Sequence, residues 1–343
     1  MSPPPLPSLA AAIVAAACTS APDADHRADA IAAVHATVAP ELAELAAAAR
    51  ALAAAAPDHA WADADADAVA AMRAAWLRAR VAYEHVEGAT APLFPELDRA
   101  LDARYDDFLA ALGPAGDPQP FDARGVTGMH AIERILYAPT VRAEVIAFES
   151  ALPGYAAPTW PRTAAEARAF KTDLCQRLID DVDALDARWQ PATIDLAAAY
   201  QGLVGLMNEQ GEKVNLASTG EEESRYADVT LFDLRNNLAG TARIYAGFRG
   251  WLRSRPGGGA ADDAITGELA ALAARYDATP GASLPPAPTD WSSDAPTPAN
   301  LATAFGQLWQ TVHAAIDPAA AGSIVHDLNA AARLLGFPAL VIE

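Results

Sequence analysis

Residues 76–107 read WLRARVAYEHVEGATAPLFPELDRALDARYDD. Trp76, Arg80, Tyr83 and Val86 recur there at spacings of four, three and three, which on an α-helix stacks them on one face. Pro92 and Pro95 bracket a turn, and helical spacing then resumes, so the stretch predicts helices over 61–88 and 96–112. Working outward, the same signature predicts helices over 28–56, with Pro40 as a kink or boundary, and over 127–137, stopped by Pro139. Further helices are expected over 163–189, 194–216, 229–253, 262–276, 298–316 and 319–335. Valine, isoleucine and threonine are not gathered into alternating runs, and no Asn-Gly or Asp-Gly hairpin signal lies between such runs. Much of the 52% apolar content is alanine, a strong helix former. The expected fold class is therefore all-α.

A chain of 343 residues is long enough for two packed units. The expected organisation is two tandem helical bundles: a leader over 1–24, a first bundle over 25–155 and a second over 156–343. No internal repeat between the two blocks is evident. The Pro-rich stretch 279–298 is expected to pack on the surface or to carry function.

With 24 Lys and Arg against 44 Asp and Glu, the formal net charge is -20. That balance repels phosphate backbones and anionic membranes, so no nucleic-acid partner is expected, whereas cations suit it. The two cysteines, Cys18 and Cys175, make neither a disulfide framework nor a thiolate metal cluster. Cys175 sits at helical spacing and reads as a small buried hydrophobe. Cys18 ends the apolar run LAAAIVAAA at 9–17, which has the length of a signal-peptide core and is too short to span a bilayer. The sequence AAAC resembles a degenerate lipobox, although MSPPPLPS ahead of it carries no Lys or Arg. Export to the periplasm or cell envelope follows as an expectation, with Cys18 as the candidate lipid anchor and sole membrane contact. No later stretch is expected to cross a membrane.

The chemistry-bearing residues begin with His130 and Glu133 in GVTGMHAIERILYAP, 125–139. A spacing of three puts both side chains on one helix face one turn apart, where imidazole and carboxylate can hold one cation. Gly128 removes a side chain just ahead of the pair and allows close backbone approach. By itself H-x-x-E also describes a salt bridge or a helix start. Upstream, Glu84 and Glu87 stand at i,i+3 on a helix that otherwise faces a core, and two inward glutamates repel unless a cation or proton lies between them. Arg78, Arg80 or a solvent face offers the alternative neutralisation. Asp98 and Asp102 form a third acidic pair. An oxygen-rich site with one imidazole suits iron, zinc, copper or manganese.

These segments resemble the imelysin-like family, which includes the periplasmic component of bacterial iron-uptake systems. Its G-x-H-x-x-E hallmark is matched by Gly128, His130 and Glu133, its aromatic–Arg–aromatic helix and acidic turn by 76–107, and a second-bundle motif by 226–249. The resemblance covers roughly 28–340 and is looser after 255. It implies a two-bundle fold and a metal site of His130, Glu133, a glutamate from the Tyr83–Glu87 segment and Asp102, favoured over Asp98 by its D-A-R position. Tyr83 and Arg80 belong to the supporting helix. Two departures from the iron-uptake members are that Gly88 stands where they usually carry proline and that no separate N-terminal cupredoxin-like domain is evident.

Family members have also been described as metallopeptidases. Zinc peptidase motifs supply two histidines from one helix, but Arg134 follows Glu133 where the second would stand. His85 shares the acidic helix and is the histidine kept in reserve. The expectation is thus an exported metal binder, with iron favoured and zinc or copper as alternatives, working with membrane iron-uptake components. A metallopeptidase and a structural lipoprotein with a decayed site are the alternatives; a ferritin-like oxidase is disfavoured, since its Glu-x-x-His is here reversed and single. Glu221, Glu222, Glu223, Asp228, Asp233, Asn236 and Asn237 gather near one loop and helix start. They read as a capped, solvated helix N-terminus, with a cleft between the bundles as the functional alternative.

Overall fold

Alanine-rich sequence with an apolar residue every third or fourth position buries one stripe and leaves the rest to water. In the long helix α1 (Asp23–Ala55) that stripe is Val34, Val38, Leu42, Leu45 and Leu52, all fully buried. Burying each such side chain contributes about 1.5–3 kcal/mol of transfer energy. The computed structural model describes residues 23–190 and 193–341, so the expected leader with Cys18 lies outside the described residues. By length and composition α1 meets the criterion for a membrane span, contrary to expectation. Its apolar stripe, however, is packed against neighbouring helices of the same chain.

After α1 come α2 (Ala66–Glu84), α3 (Glu87–Thr90), α4 (Pro95–Asp102), α5 (Tyr105–Leu112), α6 (Gly128–Leu136) and α7 (Ala143–Ser150). They are followed by α8 (Ala164–Ala169), α9 (Cys175–Trp189), α10 (Leu196–Leu216), α11 (Thr230–Arg253) and α12 (Gly258–Ala278). The series ends with α13 (Pro298–Leu301), α14 (Ala304–Ile316) and α15 (Ile324–Leu335). No strand occurs among the described residues, and the chain is all-α. Helix α1 packs on α2, α9 and α11; α10 packs on α3, α11, α14 and α15; and α12 lies between α11 and α15. Residues 151–162, around the expected division of the chain, are non-helical, and the packing of α9 on α1 ties together residues on either side of them.

Several local departures matter for the site. Pro40 lies inside α1 without ending it. The expected helix over 61–88 stops at Glu84, turns at His85 and Val86, and resumes as α3. The one over 96–112 divides where Ala103 and Arg104 take extended ψ values of 141° and 162°, which leaves Asp102 at a helix end. A π-helical turn, Phe170–Leu174, interrupts 163–189. Helix α7 has no counterpart among the expected elements.

Two side chains hang α6 from α2. The Trp76 indole N–H donates to the Met129 carbonyl at 3.0 Å, and Arg73 donates to the C-terminal Leu136 carbonyl at 2.7 Å, which also accepts from the Trp160 indole at 3.4 Å. From the other side α11 crosses the end of α2 at Gly240. A Cβ there would lie 2.6 Å from His85 Cα, so the two backbones meet only because position 240 has no side chain.

Candidate metal centre

The last turns of α2 carry polar side chains into the interior. Arg80 and Glu84 are both fully buried, and such groups are retained inside only when paired. Arg80 contacts Glu84 and Asp102, and reaches Glu223 at 3.2 Å and Asp233 at 3.5 Å. One guanidinium thus serves four carboxylates from four segments. Tyr83, also buried, donates its hydroxyl to Asp98.

His130 and Glu133 leave α6 on its inward face, at 1% and 0% exposure. Gly128, at φ +83°, opens that helix in a conformation L side chains avoid, and a Cβ there would sit 2.7 Å from the Leu101 carbonyl. The end of α4 is thereby brought against the start of α6. Glu133 Oε2 lies 2.8 Å from His130 Nδ1, while Oε1 accepts the backbone N–H groups of Tyr226 at 2.9 Å and Ala227 at 2.8 Å. Both oxygens of Glu133 are therefore spent on holding the imidazole and the 226–227 backbone. A carboxylate accepting from Nδ1–H leaves Nε2 facing the centre, where its lone pair would serve a metal ion that displaces the Nε2 proton, the arrangement typical of a metal-ligating histidine.

That Nε2 makes no hydrogen bond, although it is buried. It faces Asp102 Oδ1 at 3.4 Å and Glu223 Oε1 at 3.7 Å. Ligand atoms around a metal bound at about 2.0–2.2 Å stand roughly 3–3.5 Å apart, so the three groups fit one nitrogen-and-oxygen cation site. Among the described residues, Asp102, His130 and Glu223 form a group of metal-capable side chains whose ligand atoms all lie within 4.8 Å of one another. Arg80 lies on the same Asp102 and Glu223 oxygens, so an ion bound there shares them with the guanidinium.

The remaining sequence candidates divide between neighbouring roles. Glu84 is paired with Arg80. Glu87 accepts from Asn237 Nδ2 at 2.8 Å and lies 3.9 Å from Lys213 Nζ, on the wall of the adjoining cleft. Asp98 stands one turn before Asp102 with Tyr83 as its partner. His85 pairs instead with Glu41 at 3.2 Å.

Glu223 was not among the expected ligands, and the solvated reading of its segment is corrected here. Glu222, Glu223, Asp233 and Asn237 are all buried, each with partners on distant elements. An acidic run ahead of a helix resembles any solvated cap, and the available signal was the excess of acids and amides over what capping requires. Lys213 on α10, 3.3 Å from Glu223, was likewise unforeseen.

Five carboxylic acids (Glu84, Glu87, Asp102, Glu223 and Asp233) share two permanent cations here, Arg80 and Lys213, so protons or a metal ion must supply further neutralisation. Burial raises Glu84 and Glu87 well above the usual carboxylate range and pushes Asp98 up to about 7 and Asp233 up to about 6. Burial acts to lower His130, but Asp102 and the other facing carboxylates prevail and hold it well above the usual imidazole range. Groups raised on folding bind protons in the native state that the unfolded chain has released, and this stabilisation fades as pH rises through their folded values. The metal-free protein is therefore expected to be more stable at pH 5.5 than at pH 7.5, by about 3 kcal/mol from Asp98 and Asp233. Thermal melts in chelator check this; a melting temperature that is flat or falls on acidification contradicts it.

Arg134, beside this centre, belongs to a separate contact. It donates to Glu149 at 3.1 Å and lies over the Tyr105 ring at 3.7 Å, while Tyr226 also donates to Glu149. This buried network fixes the 226–227 backbone on which Glu133 is held.

The family model described as Imelysin, Peptidase_M75, matches residues 38–315. Among solved structures, an imelysin-like protein from Psychrobacter arcticum 273-4 is similar at TM-score 0.60 and 14% identity, covering 94% of this chain and 99% of that one. A structure described as an iron-regulated protein A precursor from Parabacteroides distasonis ATCC 8503 is similar at TM-score 0.53 and 14% identity, covering 93% and 97%. At these identities the likeness is one of fold. No curated protein matches the chain.

Proposed function

The chain belongs to the imelysin family, and from that premise we propose that it binds one transition-metal ion at Asp102, His130 and Glu223, in an exported, iron-related role. The observation carrying this reading is the buried Nε2 of His130, without a hydrogen bond and directed at two carboxylate oxygens. Iron is the favoured ion, and zinc or copper satisfies the same donors. A bound ion adds positive charge where acids outnumber fixed cations. Membrane iron-uptake components are the proposed partners, and the 9–17 apolar run supports export.

Binding is preferred to hydrolysis because Glu133, the group placed to act as a base, has both oxygens engaged. A hydrolytic centre needs a base free to take a proton from water. The test is metal analysis of gently purified protein, together with the mass of its N-terminus. About one ion per chain is expected from the single three-ligand constellation. Protein that carries no metal and takes up none of Fe2+, Fe3+, Zn2+ or Cu2+ sinks the reading, and an intact Met1 in cell extracts contradicts export.

A further inference from the structure

A cleft of about 220 Å³ opens beside the centre, lined by the carboxylates Asp102, Glu223, Glu87, Glu209 and Glu212 and by the cations Lys213 and Arg104. Two of the three proposed ligands form its inner wall, and His130 Nε2, buried and without a hydrogen bond, lies against both. A second opening of about 540 Å³ runs past Asp98, Asp107 and Phe108 but touches the ligand set through Asp102 alone.

The charge along the first cleft is uneven. Its inner part is partly neutralised, since Lys213 lies 3.3 Å from Glu223 and 3.9 Å from Glu87. Glu209 and Glu212, one turn apart on α10, make no side-chain hydrogen bond or close ion pair among the described residues. Five carboxylates against Lys213 and Arg104 leave the cleft with an excess of negative charge, and a cleft whose acids outnumber its cations draws cations in and raises their rate of arrival.

We infer that this cleft is the route by which the metal ion enters, and that Glu209 and Glu212 are its outer steering residues rather than ligands. The inference rests on the metal-site reading above. Because steering residues act on arrival, removing their charge slows uptake while the ligand set still holds one ion.

Stopped-flow uptake of Zn2+ alone, with a fluorescent indicator reporting the free ion, separates the two ideas. The double variant Glu209→Gln/Glu212→Gln is expected to take up Zn2+ about 10-fold more slowly at low salt, with the difference shrinking at high salt and one ion still bound. Asp107→Asn, which removes charge from the other opening, is expected to stay within about twofold of wild type. Uptake by the double variant at the wild-type rate overturns the inference, and so does equal slowing by Asp107→Asn. Wild-type protein that takes up none of Fe2+, Fe3+, Zn2+ or Cu2+ at equilibrium removes the site reading and this inference together.

Discussion

His130→Ala is expected to lose bound metal by roughly 100-fold or more in affinity, the larger end of what ligand and orienting groups contribute. The substitution removes the Nε2 donor and leaves Asp102 and Glu223 as two carboxylates on Arg80. A subtler partner is Glu133→Gln. The amide that replaces the carboxylate keeps an oxygen for the Tyr226 and Ala227 N–H groups, but its NH2 then donates to Nδ1 of His130. The imidazole is forced into the other tautomer, with its proton on Nε2 where the lone pair was needed. Glu133→Gln should therefore fold normally and still lose about 10- to 100-fold in affinity. Titration with Fe2+ or Zn2+, alongside thermal melts to confirm folding, measures both. Metal content equal to wild type in His130→Ala would remove the histidine from the site, and an unaffected Glu133→Gln would remove the orienting role.

Arg80→Leu is expected to have the largest effect on stability. It fills much of the volume but takes the guanidinium that pairs with Glu84, Asp102, Glu223 and Asp233. Removing one partner of a buried charge cluster costs about 3–5 kcal/mol, because the other charges remain inside without compensation. The stranded acids respond by holding protons more tightly, so their folded pKa values rise further above the unfolded ones. Stability that depends on such protons is lost as pH rises, and the deficit of Arg80→Leu should be larger at pH 7.5 than at pH 5.5. Urea unfolding at the two pH values tests this. A deficit below about 1 kcal/mol, the scale of exposed pairs, would mean that Arg80 is dispensable to the core.

Helical class and most helix positions were legible from residues 23–341, because apolar spacing reports directly on the face each helix buries. Breaks were read less well. The turns at His85–Val86 and Ala103–Arg104 contain no proline, and they arise where α11 crosses at Gly240 and where α4 meets α6 at Gly128. Those causes lie far away in the chain, outside any local window.

The same boundary runs through the candidate centre. Sequence alone determined an all-α chain, an acidic surplus, and His130 and Glu133 on one face of one short helix, all consequences of residue type and the 3.6-residue turn. Tertiary structure alone decided what each carboxylate does. Glu133 became the group that orients His130 because the 226–227 backbone docks on it, and Glu84 became the partner of Arg80. Glu223 became a candidate ligand because its loop turns inward between α4, α6 and α10. A carboxylate's role follows from which donor reaches it first, and in this chain the deciding donors lie as much as 150 positions away.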